Sequence, residues 1–318
     1  MGTAGSGTSA AVSQANRPGE KITIALQPGL AAEAHEFIAR QEGCIEKGLP
    51  GDTIVWKDLA STAVIGSAML SGDVQIGANG LVPFLVNWSK GFKAKIIYAG
   101  AVENIHVMVK DPKYKTMKDL LESGAKIAAP SPTAIQGLMV RFAAKSITGN
   151  LNAANSQIVS MDQPTAYQAL LAGQVGAHVA SPPFPAREAK DGARSIYDLK
   201  DALGSLMPVV MVAMSDWGEA HPEVLKVVSH CLEDARKLIT TDLGKAAELT
   251  AQGMGQADKV AELKEELADP DLDFTYGAAL KMSDLQKWAD FEKQVGMIDK
   301  APSSLDEVMF SGAESLFN

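Results

Sequence analysis

The chain has 318 residues, 46% of them hydrophobic and 21% charged, with a formal net charge of −9. That length supports one large or two medium α/β domains with buried cores. The acidity argues against nucleic acid or an anionic membrane surface as a partner, and no apolar run approaches the roughly 20 residues needed to cross a bilayer.

Residues 1–20 are rich in Gly, Ser, Ala and Thr, with no basic segment and no hydrophobic core. They read as a disordered tail, not an intact signal peptide. Met1-Gly-Thr-Ala-Gly-Ser6 fits the myristoylation pattern, a match short enough to be accidental. The first strand is Lys21–Leu26, followed by the turn Gln27-Pro-Gly-Leu30 and a helix over 31–42 with Ala34, Phe37, Ile38 and Gln41 at helical spacing. Residues 43–50 end that helix. A strand over 53–56 follows, then a helix capped by Ser61 or Thr62 and running to Leu70.

Ala68-Met-Leu-Ser-Gly-Asp-Val-Gln-Ile-Gly-Ala-Asn-Gly80 then reads as a helix end, a glycine stop at Gly72, a strand over 74–78, and a turn at Asn79-Gly80 opening the helix Leu81–Ser89. Nearly the same phrase returns as Ala169-Leu-Leu-Ala-Gly-Gln-Val-Gly-Ala-His-Val-Ala-Ser-Pro182, with Gly173 in the place of Gly72 and Val175 in that of Val74. Two copies of one helix–strand edge predict two similar lobes. Strands over 95–99, 105–109 and 209–213 frame a self-contained segment. Its strands are expected at 126–129, 157–160 and 175–180, and its helices at 136–147 and 165–172. A second lobe inserted this way needs two chain crossings, expected near Glu103-Asn104 and Met207-Pro208. After Asp216 the pattern is helical. A helix starts at Pro222 with Val228, Leu232 and Leu238 on its apolar face, a charged, exposed helix covers 262–267, and another covers 282–295.

Cys44 and Cys231 are the only cysteines. Their spacing fits neither a disulfide framework nor a zinc site, and whether they pair is open. His35-Glu36 lacks the second histidine of a zinc-protease helix, and neither a nucleophile elbow nor a phosphate loop is present. None of His35, His106, His178, His221 and His230 has ligand spacing, although His35 and His178 lie near candidate turns. Those turns are Gln27-Pro-Gly29, Ala60-Ser-Thr62, Asn79-Gly80, Ser131-Pro-Thr133 and Ser181-Pro-Pro-Phe184. At the carboxyl ends of parallel strands such turns bind ligands, and free N–H groups of the following helices favour anionic oxygens. Each taken alone reads more readily as a helix cap than as a ligand site.

Taken together, several phrases resemble the solute-binding proteins of ABC importers in the nitrate/sulfonate/taurine group, which also takes in thiamine-precursor binders. These are 22–29 with Arg40-Gln-Glu-Gly-Cys-Ile-Glu-Lys-Gly-Leu49, the 68–80 phrase, Lys115-Thr-Met-Lys-Asp-Leu120, 170–184, Ser215-Asp-Trp-Gly-Glu-Ala-His-Pro-Glu223 and 288–298. The resemblance covers 21–309. It implies an α/β, two-lobed periplasmic-binding-protein (type II) fold with two hinge crossovers, lobe 1 being 21–102 and 209–318 and lobe 2 being 103–208. It further implies a monomer outside the cytoplasm that carries one small organic solute to an ABC permease, without cofactor, metal or catalysis.

By carry-over, ligand contacts are expected from Gln27, Pro28, Gly29, Leu30, Ser61, Thr62, Asn79, Gly80, Ser131, Pro132, Thr133, Ser181 and Phe184, with Glu103 and Asn104 at the hinge. Gly176, His178 and Cys44 depart from the pattern of the group. The turns carry no arginine or lysine, which favours an organic solute with a carboxylate or sulfonate over nitrate, unless Arg141 or Arg187 swings in. The alternatives are an enzyme resembling the thiamine-pyrimidine synthases, and a ligand-sensing domain.

Overall fold

The computed structural model describes residues 19–132, 134–277 and 280–310. Its strands, in chain order, are β1 (Lys21–Leu26), β2 (Thr53–Asp58), β3 (Ile76–Gly80), β4 (Ala94–Glu103), β5 (His106–Val109), β6 (Ile127–Ala129), β7 (Ile158–Ser160), β8 (Ala177–Ala180), β9 (Arg194–Asp198), β10 (Met207–Met214) and β11 (Leu272–Asp273). They form two sheets, ordered β11-β4-β10-β3-β1-β2 and β7-β6-β8-β5-β9. In the first, β1 runs parallel to β2 and β3, and β10 runs antiparallel to β3 and β4. The second repeats that plan: β6 is parallel to β7 and β8, and β5 is the antiparallel strand beside β8. Each lobe is thus built around one strand, β3 or β8, held between a parallel neighbour and an antiparallel strand that adjoins a crossover.

The repeated phrase builds these two positions with the same backbone chemistry. The Gly72 N–H donates to the Met69 carbonyl (3.1 Å) and the Asp73 N–H to Ala68 (2.9 Å). The Gly173 N–H donates to Leu170 (3.1 Å) and the Gln174 N–H to Ala169 (2.9 Å). Both glycines are left-handed, with φ 82° and 70°, as this helix stop requires. The strands begin two residues later than their sequences suggest. Gln75 N and Gly176 N donate singly to the neighbouring strands' edges before the ladders start. Asn79 and Gly80, expected as a turn, instead extend β3, paired with Val210 and Val209 of β10.

Other differences have local causes. Gly43 (φ 59°) ends the helix Ala34–Glu42 but hands the chain directly to a short helix, Cys44–Gly48, and Ala31–Glu33 is a separate 3-10 turn. The helix expected to be charged and exposed, Val260–Leu267, buries Leu263, Glu266 and Leu267. Leu263 and Leu267 fall four apart on one face and enter the core around β1. β9 escaped the pattern because it is a half-buried edge strand with charges at both ends. Residues 1–18, which include nearly all of the expected tail, lie outside the described residues.

Cys44 and Cys231 are joined, with Cα atoms 5.8 Å apart across a sequence separation of 187. The bond ties the helix Cys44–Gly48 to Pro222–Thr241 on the outer face of the first sheet. Closing so long a loop removes chain entropy from the unfolded state, worth at most about 5 kcal/mol in that account. The Cys44→Ala/Cys231→Ala double variant is therefore expected to melt several degrees lower, with the shift reproduced in wild type by adding reductant.

Candidate functional site

Between the two sheets lies a cavity of about 420 Å³. Residues following each parallel strand of both sheets line it: Gln27 after β1, Ser61 and Thr62 after β2, Asn79 and Gly80 ending β3, Ser131 after β6, Asp162 and Gln163 after β7, and Ser181 after β8. Loops must cross from strand to helix at that edge, so their polar groups converge there without interrupting the core.

The second-lobe wall is tied into a hydrogen-bond network. Gln136 Nε2 donates to Ser181 Oγ (3.0 Å), and Gln163 Oε1 accepts from the Ser181 N–H (3.2 Å) while its Nε2 reaches the Val179 carbonyl (3.3 Å). Ser131 Oγ and Asp162 Oδ1 accept from the N–H groups of Ala134 and Thr165 at the starts of their helices. Ser61 does the same more weakly for Val64 (3.3 Å). These serines therefore serve as helix caps and as cavity wall at once.

The first-lobe wall is different. Asn79 is 2% exposed and Glu103 5%, and among the described residues both polar side-chain atoms of Asn79 and Oε2 of Glu103 have no hydrogen-bond partner. Glu33 Oε2 accepts from the Gln27 N–H (2.8 Å). Burial pushes Glu33 well above the usual carboxylate range, reinforced by Glu36, Glu103 and Asp58, while the Gln27 bond pulls it back. Burial alone pushes Glu103 up to about 8. Among the described residues that line the cavity, Lys90 is the one basic side chain.

Of the residues expected at the ligand, Gln27, Leu30, Ser61, Thr62, Asn79, Gly80, Glu103, Ser131 and Ser181 border this cavity. Pro28, Gly29 and Pro132 do not. They sit at the exposed apices of their turns, and Gly29 takes φ 87° to make its bend. Asn104 points away: its amide donates to Asp271 (3.0 Å) and Asp198 (3.2 Å), and its oxygen accepts from the Leu199 N–H. It is a hydrogen-bonded hinge residue. Phe184 is buried against the rings of Tyr167 and His178. Thr133 lies outside the described residues.

The near-turn histidines are also core residues. His35 is held down to about 3, chiefly by burial and then by Arg236, and His178 is bonded to buried Glu188. Trp56 and Trp88 donate to Glu46 and to the Glu307 carbonyl. Arg141 contacts Met297 and Asn152, and Arg187 pairs with Glu262 and Glu266, so neither borders the cavity. Among the described residues no His, Cys, Asp and Glu group could hold a metal ion, and no helix is long and apolar enough to cross a membrane.

Sequence reading missed Glu33, Lys90, Gln136, Asp162 and Gln163. The internal repeat contained part of the signal: β7 takes the place in its sheet that β2 takes in the other, which makes Asp162-Gln163 the counterpart of Ser61-Thr62. Glu33 offered no such cue, since an acid near a helix start reads as a partner of the helix dipole.

The NMT1-like family profile matches residues 15–253. The chain is 29% identical over 224 residues to the taurine-binding periplasmic protein of Escherichia coli strain K12, a match spanning 68% of this chain and 65% of that protein's length. Its fold superposes on the periplasmic aliphatic sulphonate binding protein SsuA of E. coli with a TM-score of 0.71 at 16% identity, covering 92% of this chain and 98% of that one. The periplasmic nitrate-binding protein NrtA of Synechocystis PCC 6803 superposes with a TM-score of 0.72 at 11% identity, covering 93% and 87%. The chain belongs to the NMT1-like family.

Proposed function

We propose that the chain is an extracytoplasmic solute-binding protein of an ABC importer, holding one small organic solute between its lobes and delivering it to the permease. The observation that carries this reading is the cavity itself, bordered by the carboxyl ends of the parallel strands of both sheets. A solute gripped from both sides favours the closed arrangement over the open one, by as much as its affinities for the two differ. Sheet membership supports lobes of 21–102 with 209–318 and of 103–208, except that β4 and β10 carry the first sheet to Glu103 and resume it at Met207. The Cys44–Cys231 bond suits an oxidising compartment. We read the chain as a monomer without catalysis: both cysteines are consumed by each other, and His35 and His178 lie away from the cavity. A panel of organic sulfonates, carboxylates and amines tests this by thermal shift. A ligand at a hundred times its Kd adds about 2.7 kcal/mol of stability, and a panel that shifts nothing contradicts the reading.

Ion pairs between the two lobes support closure as a clasp. Arg187, on the helix Phe184–Lys190 of the second lobe, bonds Glu266 (Nε to Oε1, 2.9 Å) and lies 3.0 Å from Glu262, both on the helix Val260–Leu267 of the first; Lys190 meets Glu265 beside them. Glu266 is nearly buried, so opening or truncation leaves its charge uncompensated. Arg187→Ala is expected to weaken solute binding about 3- to 10-fold without touching the cavity, and to flatten its dependence on salt. Titration calorimetry at low and high ionic strength checks both.

A further inference from the structure

Glu33, Asn79 and Glu103 all line the cavity from the first lobe, and among the described residues their polar groups are buried and largely unspent. Asn79 and Glu103 have unpartnered atoms there, and Glu33 has one oxygen committed to Gln27. The opposite wall, by contrast, has its amides and hydroxyls bonded to one another. Glu103 lies close enough to add to Glu33's cost of ionising. An ammonium group carries three N–H donors, and this wall presents three acceptors: two carboxyl groups and one amide oxygen. A purely anionic solute would meet two carboxyl groups on that side. The nearby arginines are engaged elsewhere, Arg141 with Asn152 and Met297 and Arg187 with Glu262 and Glu266.

We propose that the solute carries a protonated primary amine, seated on the first-lobe wall between Glu33, Glu103 and the Asn79 side chain. This rests on the reading of the cavity as a solute site and names the class of solute. Glu33 and Glu103 hold their protons more tightly than free carboxyls do, so an arriving ammonium displaces protons to solvent, and binding strengthens as pH rises toward 8. The charged and titratable groups facing this wall are Glu36 near Glu33, Asp58 at the end of β2, Lys90 just after the helix Leu81–Ser89 and Asp162 from the second lobe.

The test uses matched probes differing only in the amine: taurine against ethanesulfonate, β-alanine against propionate, and ethanolamine against ethanol. Calorimetry is run at pH 7 in buffers of low and high ionisation enthalpy. At least one amine probe is expected to bind about 10- to 100-fold more tightly than its partner, with net proton release. Glu103→Gln and Glu33→Gln should each erase most of that preference and the release, while circular dichroism and melting show a folded protein. Equal binding of the two members of each pair, or proton uptake on binding, overturns the amine proposal and leaves the solute-binding reading standing. If no probe binds and none changes the scattering radius, both fall.

Discussion

Replacing Asn79 with leucine should make the solute-free protein more stable and the solute-binding protein useless. Asn79 is the penultimate residue of β3, inside the ladder with β10, so its backbone is fixed whatever its side chain does. That side chain is 2% exposed, and neither of its polar atoms has a partner among the described residues. A buried amide left unsatisfied costs about 1–3 kcal/mol, and an apolar side chain of similar volume escapes that cost. We expect Asn79→Leu to raise the melting temperature by a few degrees and to weaken solute binding at least about 30-fold. Melting curves with and without solute check both numbers in one experiment. A variant that is destabilised and still binds would show that Asn79 is structural, with a partner in solution.

A second large effect concerns pH. Burial pushes Glu36 and Glu103 up to about 8 and Glu292 up to about 9, and Glu33 is raised well above its usual range. Raised in the fold, these carboxyls bind protons more tightly folded than unfolded. Their contribution is complete below the unfolded value of 4.5 and is lost as pH climbs through 8 to 9. His35 works the other way. Held down to about 3, it favours the fold above its unfolded value of 6.5 and loses that contribution as pH falls. Four groups outweigh one, so stability should peak in mild acid and fall by on the order of several kcal/mol between about pH 5 and pH 9. Glu292 is the sharpest probe, because both of its oxygens are buried without partners among the described residues, away from the cavity. Glu292→Gln should flatten the upper part of the profile and leave solute affinity unchanged. A melting temperature that rises from pH 5 to 9 would contradict this.

The fold was legible where local chemistry and topology coincide. Gly72 and Gly173 mark helix stops that glycine alone makes without strain, and each stop fixes the strand that follows it. From those two positions the repeated sheet plan follows, and with it the edge where the loops converge. Residues whose placement depends on partners far along the chain were harder to read. Asn104 looks like a cleft residue until Asp271, 167 positions later, claims its amide. Phe184 looks like a ligand contact until the rings of Tyr167 and His178 pack against it in the core. Glu33 is the clearest case, because its first-turn position suggests a solvated acid and only the packed lobe shows it buried at the cavity. Pro28, Gly29 and Pro132 shape their turns from the outside, and turn chemistry alone does not separate the apex of a loop from its inner flank.

Small-angle scattering of the protein, first alone and then with a solute identified by thermal shift, tests the account most directly. Solute held between the lobes predicts one bound molecule per chain and a radius of gyration that falls on binding, with the fall abolished in Asn79→Leu. A solute that binds at full affinity to that variant and leaves the scattering curve unchanged would place the site elsewhere and contradict the account.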